Sequence, residues 1–184
     1  DWANYSSLSE LHKYYPEYPI WMTEICYTKP PVYDFSDGEF WGNIIINDLK
    51  NWVSGWIYWN MILDQEGGPW LVSYPIHNCW ENNRQHPVVI INRNTGLVTF
   101  TGLYYYLAHF SKFIRPCAYR IKCTGGTPSI NYIGFLNPDG NIVFNVINNG
   151  NEADIKILWN DKMIIQRLKS HSISTIKWNK TAIN

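Results

Sequence analysis

Residues 19–27, PIWMTEICY, are a short apolar run with one carboxylate, Glu24, inside it. The run is apolar on both faces, and Pro16 and Pro19 stop any helix before it. This pattern is typical of a buried strand in a parallel sheet. Because catalytic groups of α/β proteins lie at the carboxyl ends of such strands, Glu24 is a candidate catalytic carboxylate. A capping or pairing role just beyond the strand is the alternative, and both interpretations stay open at this point.

Helix-like and strand-like segments alternate around this run. Residues 7–14 are expected to end a surface helix, and residues 36–52 begin with acidic residues and carry apolar side chains at helical spacing. Residues 55–61, GWIYWNM, form a second apolar strand. Strand, helix and strand make a βαβ unit, so the two strands are predicted to be parallel neighbours. A long irregular stretch over 63–93 and a helix over 101–113 are expected to follow.

The pattern changes after Pro116, where short strands are separated by turn sequences such as NPDG at 137–140 and NNGN at 148–151. Regular short strands with two-residue periodicity predict an antiparallel sandwich. The expected strands cover residues 118–123, 130–136, 142–147, 153–159, 163–168 and 172–178. The chain as a whole is therefore expected to be α/β followed by all-β.

Composition narrows the class of ligand. The 15 basic residues are balanced by 15 acidic residues, so no basic field favours nucleic acid or anionic lipid. Aromatic residues are 16% of the 184-residue chain, and 10 of them are Trp, which suits stacking on sugar rings, although most are expected to fill the core. No stretch approaches the roughly 20 apolar residues of a transmembrane helix.

The cysteines and histidines show no motif spacing. Cys117 and Cys123 flank an expected strand and could form a disulfide, but free thiols are an equal alternative. His77, His86 and His109 lack the spacing of a metal site and are interpreted as structural or surface residues.

Four blocks stand in order along the chain: WMTEIC at 21–26, GWIYWN at 55–60, DQEGGP at 64–69 and YLAHFSKFI at 106–114. Their order and spacing resemble the C-terminal part of glycoside hydrolase family 30, which contains glucosylceramidases and β-1,6-glucanases. The resemblance implies the C-terminal portion of a (β/α)₈ TIM barrel over residues 1–114. An antiparallel β-sandwich over residues 115–184 is implied to follow it.

The resemblance also implies the site residues. Glu24 is similar to the family nucleophile at the end of the seventh barrel strand, and Trp59 looks like the sugar-binding Trp that ends the eighth, with Asn60 after it. Trp70 stands where the family often has Asn, so it either stacks on substrate or packs into the barrel rim. Cys26 could border the pocket, although a small structural residue is the favoured alternative. Neither a cofactor nor a metal is implied.

The implied chemistry is retaining hydrolysis, which needs a nucleophile and an acid/base carboxyl about 5 Å apart. In the family the second carboxyl follows an Asn on the fourth strand, a segment that this chain does not contain. The sole Asn-Glu pair, Asn151-Glu152, is expected in a sandwich turn, where a catalytic role is disfavoured. Glu66 is interpreted as shaping its glycine-rich loop through backbone hydrogen bonds.

These implications give two functional hypotheses. The first is a retaining β-glycosidase of glucosylceramidase or endo-β-1,6-glucanase type that acts on a carbohydrate or glycolipid and is secreted or lysosomal. On that hypothesis the missing N-terminal barrel portion is needed for activity, and this chain alone is inactive. The alternative is a non-catalytic carbohydrate-binding protein or a decayed relic of such an enzyme.

Overall fold

The computed structural model describes residues 4–25, 33–68 and 85–181. Its backbone divides into two compact units. Unit 1 comprises residues 1–38 and 51–105, and unit 2 comprises residues 39–50 and 106–184. The division assigns parts of two helices to unit 2, so the expected boundary near residue 114 stays a prediction.

Three helices stand in the described residues at the expected places: α1 is Tyr5–Tyr14, α2 is Phe35–Lys50 and α3 is Gly102–Ser111. Helix α1 has no buried residue, as expected for a surface helix. Helix α2 ends before Trp52, which the sequence pattern had included, because Trp52 adopts a left-handed backbone with φ of 75°. A residue in this conformation ends an α-helix.

Unit 1 contains the predicted parallel pair. Strand β1, Ile20–Met22, pairs with β2, Val53–Trp56, and Trp21 lies opposite Gly55. A Cβ atom on Gly55 would lie 2.9 Å from the Trp21 ring, so the close packing of that ring requires glycine. The expectation that β1 is buried is wrong, since Trp21 is 59% exposed. Trp21 is exposed because β1 lies at a sheet edge, with β2 as its one hydrogen-bonded neighbour within the described residues.

A second sheet in unit 1 corrects the expected irregular stretch over 63–93. Strand β3, Ile62–Asp64, pairs in parallel with β4, Val89–Ile91, and β4 pairs antiparallel with β5, Val98–Phe100. Strands of three residues are too short to show a periodicity in the sequence. They form because Leu63, Val89 and Ile90 are buried.

Unit 2 contains the predicted antiparallel strands. Their bounds are β6 Tyr119–Ile121, β7 Ile130–Leu136, β8 Asn141–Asn148, β9 Ala153–Trp159, β10 Lys162–Leu168 and β11 Ser172–Asn179. Four of them form one sheet in the order β11-β8-β7-β6, and β9 and β10 form a hairpin. The buried residues Phe144, Val146 and Leu168 form a core cluster, against which Ile157 and Trp178 pack. Cys117 and Cys123 are free thiols in the structure.

A closed loop of hydrogen bonds joins His109 to the sheet of unit 2. The Thr175 hydroxyl donates to Asn145 Oδ1 at 2.7 Å, so its oxygen accepts from His109 Nδ1 at 2.7 Å. Asn145 Nδ2 donates to the His109 carbonyl at 3.0 Å, and Asn145 is fully buried. Burial lowers the pKa of His109 below its ordinary value of 6.5, because the charged imidazolium loses solvation.

This lowered pKa predicts acid sensitivity. A histidine whose folded pKa lies below its unfolded value binds more protons when unfolded, so its stabilising contribution is complete above about pH 6.5 and is lost as the pH falls below it. We expect the urea midpoint of the native protein to fall between pH 7.5 and pH 5. The variant His109→Gln is expected to show a shallower fall, and an unchanged fall in that variant would contradict the assignment to His109.

Candidate active site

The carboxyl ends of β1 and β2 bring Glu24 and Trp59 to the same edge of unit 1. Backbone pairing continues beyond both strands, since Ile57 N donates to Met22 O and Trp59 N donates to Ile25 O, each at 2.9 Å. Glu24 is exposed and Trp59 is 46% exposed, so both can meet a ligand. Within the described residues, no side chain or backbone donor holds the Glu24 carboxylate. The nucleophile and sugar-platform roles of these two residues stay predictions.

The Trp59–Asn60 corner is held by the segment of residues 85–88. The peptide bond between Trp59 and Asn60 is cis. Asn60 Nδ2 donates to Gln85 Oε1 at 2.9 Å, and the Tyr58 hydroxyl donates to the His86 carbonyl at 2.7 Å. The Asn60 side chain is therefore held by a hydrogen bond within the protein. Its role as a substrate contact stays a prediction.

A buried Asp–His pair anchors the same segment. His86 Nδ1 lies 3.0 Å from Asp37 Oδ1, and the two side chains are only 2% and 6% exposed. Asp37 lies in the first turn of α2, where the helix dipole favours a carboxylate. His86 is thus structural, as the sequence suggested. Its partner could not be predicted, because 49 residues separate the two.

Asp64, not Glu66, shapes the glycine-rich loop. Asp64 Oδ1 accepts from the backbone N–H of Glu66 at 2.8 Å and of Gly68 at 2.9 Å, and Asp64 Oδ2 pairs with Arg93 Nε at 3.1 Å. Asp64 is buried, whereas Glu66 is exposed. The sequence interpretation of Glu66 is therefore corrected. An Asp four residues before a glycine is the signal that could have identified the right carboxylate.

Three of the remaining candidates, Cys26, Trp70 and His77, lie outside the described residues. Glu152 lies in a turn of unit 2, exposed to solvent, and pairs with Arg167 Nε at 2.9 Å.

No group of three or more His, Cys, Asp or Glu side chains that could hold a metal occurs in the described ranges. None of the helices described is long and apolar enough to cross a membrane.

Residues 1–114 match the glycosyl hydrolase family 30 TIM-barrel domain, and residues 118–176 match the family 30 β-sandwich domain. The chain belongs to glycoside hydrolase family 30. This family 30 chain is 33% identical over 140 residues to putative glucosylceramidase 4 of Caenorhabditis elegans, covering 72% of the chain and 25% of that protein. It is 25% identical to lysosomal acid glucosylceramidase of Mus musculus, covering 95% of the chain and 34% of that protein.

Solved structures agree with this placement. The endo-β1,6-glucanase BT3312 superposes on the family 30 chain with a TM-score of 0.79 and 26% sequence identity. The superposition covers 96% of the chain and 39% of the glucanase. These matches confirm the fold class, a partial TIM barrel followed by a β-sandwich. The chain spans about a quarter to a third of the length of the two glucosylceramidases described above.

Proposed function

We propose that the protein containing this chain is a retaining β-glycosidase in which Glu24 is the nucleophile. The observation that carries the proposal is the shared edge of β1 and β2, where an exposed carboxylate and an exposed indole follow two parallel strands. A sugar ring that stacks its C–H face on Trp59 would present its anomeric carbon to the neighbouring segment that carries Glu24. Membership of a glycoside hydrolase family supports this arrangement.

The reaction proceeds through two displacements. A Glu24 carboxylate oxygen attacks the anomeric carbon as the glycosidic C–O bond breaks, and a second carboxyl donates its proton to the leaving oxygen. The product of this step is a glycosyl ester of Glu24. The second carboxylate then removes a proton from water, the water oxygen attacks the anomeric carbon, and the ester C–O bond breaks to release Glu24 as a carboxylate.

The second carboxyl has to come from elsewhere in the barrel. Asp37 is buried against His86, and Asp64 is bound to its own loop and to Arg93, so neither carboxylate is available to a substrate. The chain covers only 25% and 34% of the two glucosylceramidase relatives. We propose that the acid/base lies in a part of the family 30 barrel that this chain does not span. The chain alone is then inactive.

A glucosylceramide-like β-glucoside is the proposed substrate. Support comes from two glucosylceramidase relatives, one of them lysosomal, at 33% and 25% identity. A lysosomal or secreted setting is proposed on the same basis. A β-1,6-glucan is the second candidate, since an endo-β1,6-glucanase superposes on this chain with 26% sequence identity.

Covalent trapping tests the proposal. The whole protein is incubated with an activated 2-deoxy-2-fluoro-β-glucoside, which forms the ester but deglycosylates slowly, and intact mass and peptide mapping follow. We expect a single adduct on Glu24, no adduct in Glu24→Gln, and a normal adduct in the control Glu17→Gln, an exposed glutamate of the same unit. An adduct on another residue, or β-glucoside hydrolysis with no adduct, would contradict the assignment.

A further inference from the structure

We propose that Asp37 is a positioning residue for the Trp59–Asn60 corner and acts through His86. The proposal rests on the function proposed above for the sugar contact at Trp59, but its structural part can be tested without that function. Asp37 and His86 are far from Trp59 in sequence, and both side chains are buried. Their contribution is to fix the backbone to which the corner is bound.

Asp37 and His86 form a buried hydrogen-bonded pair. An ionised carboxylate can only accept hydrogen bonds, so the proton of the 3.0 Å contact lies on His86 Nδ1. Asp37 Oδ2 is buried and has no hydrogen-bond partner among the described residues, so His86 is the donor that the structure gives this carboxylate. Both side chains are more than nine-tenths buried. The pair therefore fixes the imidazole ring in one orientation.

Residues 85 and 86 contact the residues on both sides of Trp59. The backbone carbonyl of His86 accepts from the Tyr58 hydroxyl at 2.7 Å, and the side-chain oxygen Oε1 of the preceding Gln85 accepts from Asn60 Nδ2 at 2.9 Å. Residues 58 and 60 flank Trp59 on both sides. A shift of the 85–88 segment is thus transmitted to both neighbours of the indole.

The C-terminal end of the segment is held by contacts separate from the Asp37–His86 pair. The Thr101 hydroxyl lies 3.0 Å from the Pro87 carbonyl and 2.9 Å from the Val88 carbonyl. Val89 N donates to Met61 O at 2.8 Å. At this end Val88 N also donates to Asn60 O at 3.4 Å, so the loss of Asp37 is expected to act on the N-terminal end, which carries the contacts to the Tyr58 hydroxyl and the Asn60 side chain.

The test compares Asp37→Leu with Asp37→Asn in the whole protein. Leu has the same branching at Cγ, is larger than Asp and offers no acceptor, whereas Asn has nearly the size of Asp and keeps an oxygen that can accept from His86 Nδ1. The protein is labelled with 5-fluorotryptophan, and the ¹⁹F signal of Trp59 is assigned by its loss in Trp59→Phe. We expect Asp37→Leu to shift or broaden the Trp59 signal and Asp37→Asn to leave it close to wild type. The signal of Trp21 in β1 reports that unit 1 remains folded, and those of Trp159 and Trp178 report the same for unit 2.

A second variant keeps the proposal falsifiable if Asp37→Leu does not fold. Tyr58→Phe removes only the hydroxyl that binds the His86 carbonyl, and it is expected to shift the Trp59 signal as well. An unmoved Trp59 signal in a folded Asp37→Leu protein overturns the proposal. If Asp37→Leu is unfolded, an unmoved signal in Tyr58→Phe does so.

Kinetics provide the functional readout. On an aryl β-glucoside, Asp37→Leu is expected to lower kcat/KM by about 100-fold, the usual loss when a positioned group moves by roughly 1 Å. Asp37→Asn is expected to remain within about three-fold of wild type, since it keeps the hydrogen bond. If the wild-type protein hydrolyses no β-glucoside, the proposed function fails, whereas the fluorine signals still decide the role of Asp37.

Discussion

Glu24→Gln is expected to lower kcat/KM of the whole enzyme on an aryl β-glucoside by at least about 10⁴-fold, as removal of a nucleophile does in other covalent mechanisms. Gln has the same size as Glu but carries no charge, and its amide cannot form the glycosyl ester. Because Glu24 is exposed and has no hydrogen-bond partner within the described residues, the substitution should leave the fold unchanged. The loss is therefore expected in kcat, with an unchanged melting temperature.

A rescue experiment separates a nucleophile from a residue that merely shapes the site. In Glu24→Ala, azide can enter the space left by the carboxylate and attack the anomeric carbon of an activated β-glucoside. The expected product is the α-glucosyl azide, because one displacement inverts the anomeric configuration. Near-normal activity of Glu24→Gln, or azide rescue that gives the β-azide, would contradict the assignment of Glu24.

Gly102→Ala is expected to destabilise unit 1 by about 3 kcal/mol or more, at the upper end of the cost of overpacking. A Cβ atom on Gly102 would lie 2.0 Å from the Asp34 carbonyl oxygen and 2.8 Å from Phe35 Cα. Both are backbone atoms, so no side-chain rotation can relieve the overlap. Gly102 N also donates to Tyr33 O at 3.1 Å, and this contact would be lost as the chains separate.

Gly96→Ala in the same unit is the matched control. Gly96 has a φ of +72°, and its Cβ atom would meet no atom within 4 Å. Its substitution therefore costs only the backbone strain of a left-handed residue, about 1–2 kcal/mol. Urea unfolding of the three proteins measures both differences. A Gly102→Ala protein no less stable than Gly96→Ala would show that the backbone around Asp34 yields to the added methyl group.

Local patterns predicted the elements that have many apolar contacts of their own. The β1–α2–β2 unit and the six strands of unit 2 follow from apolar runs and turn sequences, and each lies within a few residues of its expected place. Strands β3, β4 and β5 were missed, because three residues give no periodic signal. The pairing of β3 with β4, which places Ile62 opposite Val89, also joins residues that are distant in the sequence. The exposure of Trp21 also depends on which other elements pack against β1, and the sequence of the strand does not identify them.

The candidate site shows the same division. Glu24 and Trp59 could be predicted as site residues because the resemblance is local, within blocks of about six residues around each. Asp37 and His86 could not be paired, since nothing in either segment indicates the other. The choice between Asp64 and Glu66 depended on which carboxylate the backbone turns towards, and two neighbouring acidic residues look alike in the sequence until the turn is known.

Each end of the connection between β3 and β4 is held by hydrogen bonds among the described residues. Asp64 holds the start through the N–H groups of residues 66 and 68, and the Asp37–His86 pair holds the end. Substitutions within residues 69–84, including Trp70, can therefore leave these two sets of hydrogen bonds in place during divergence.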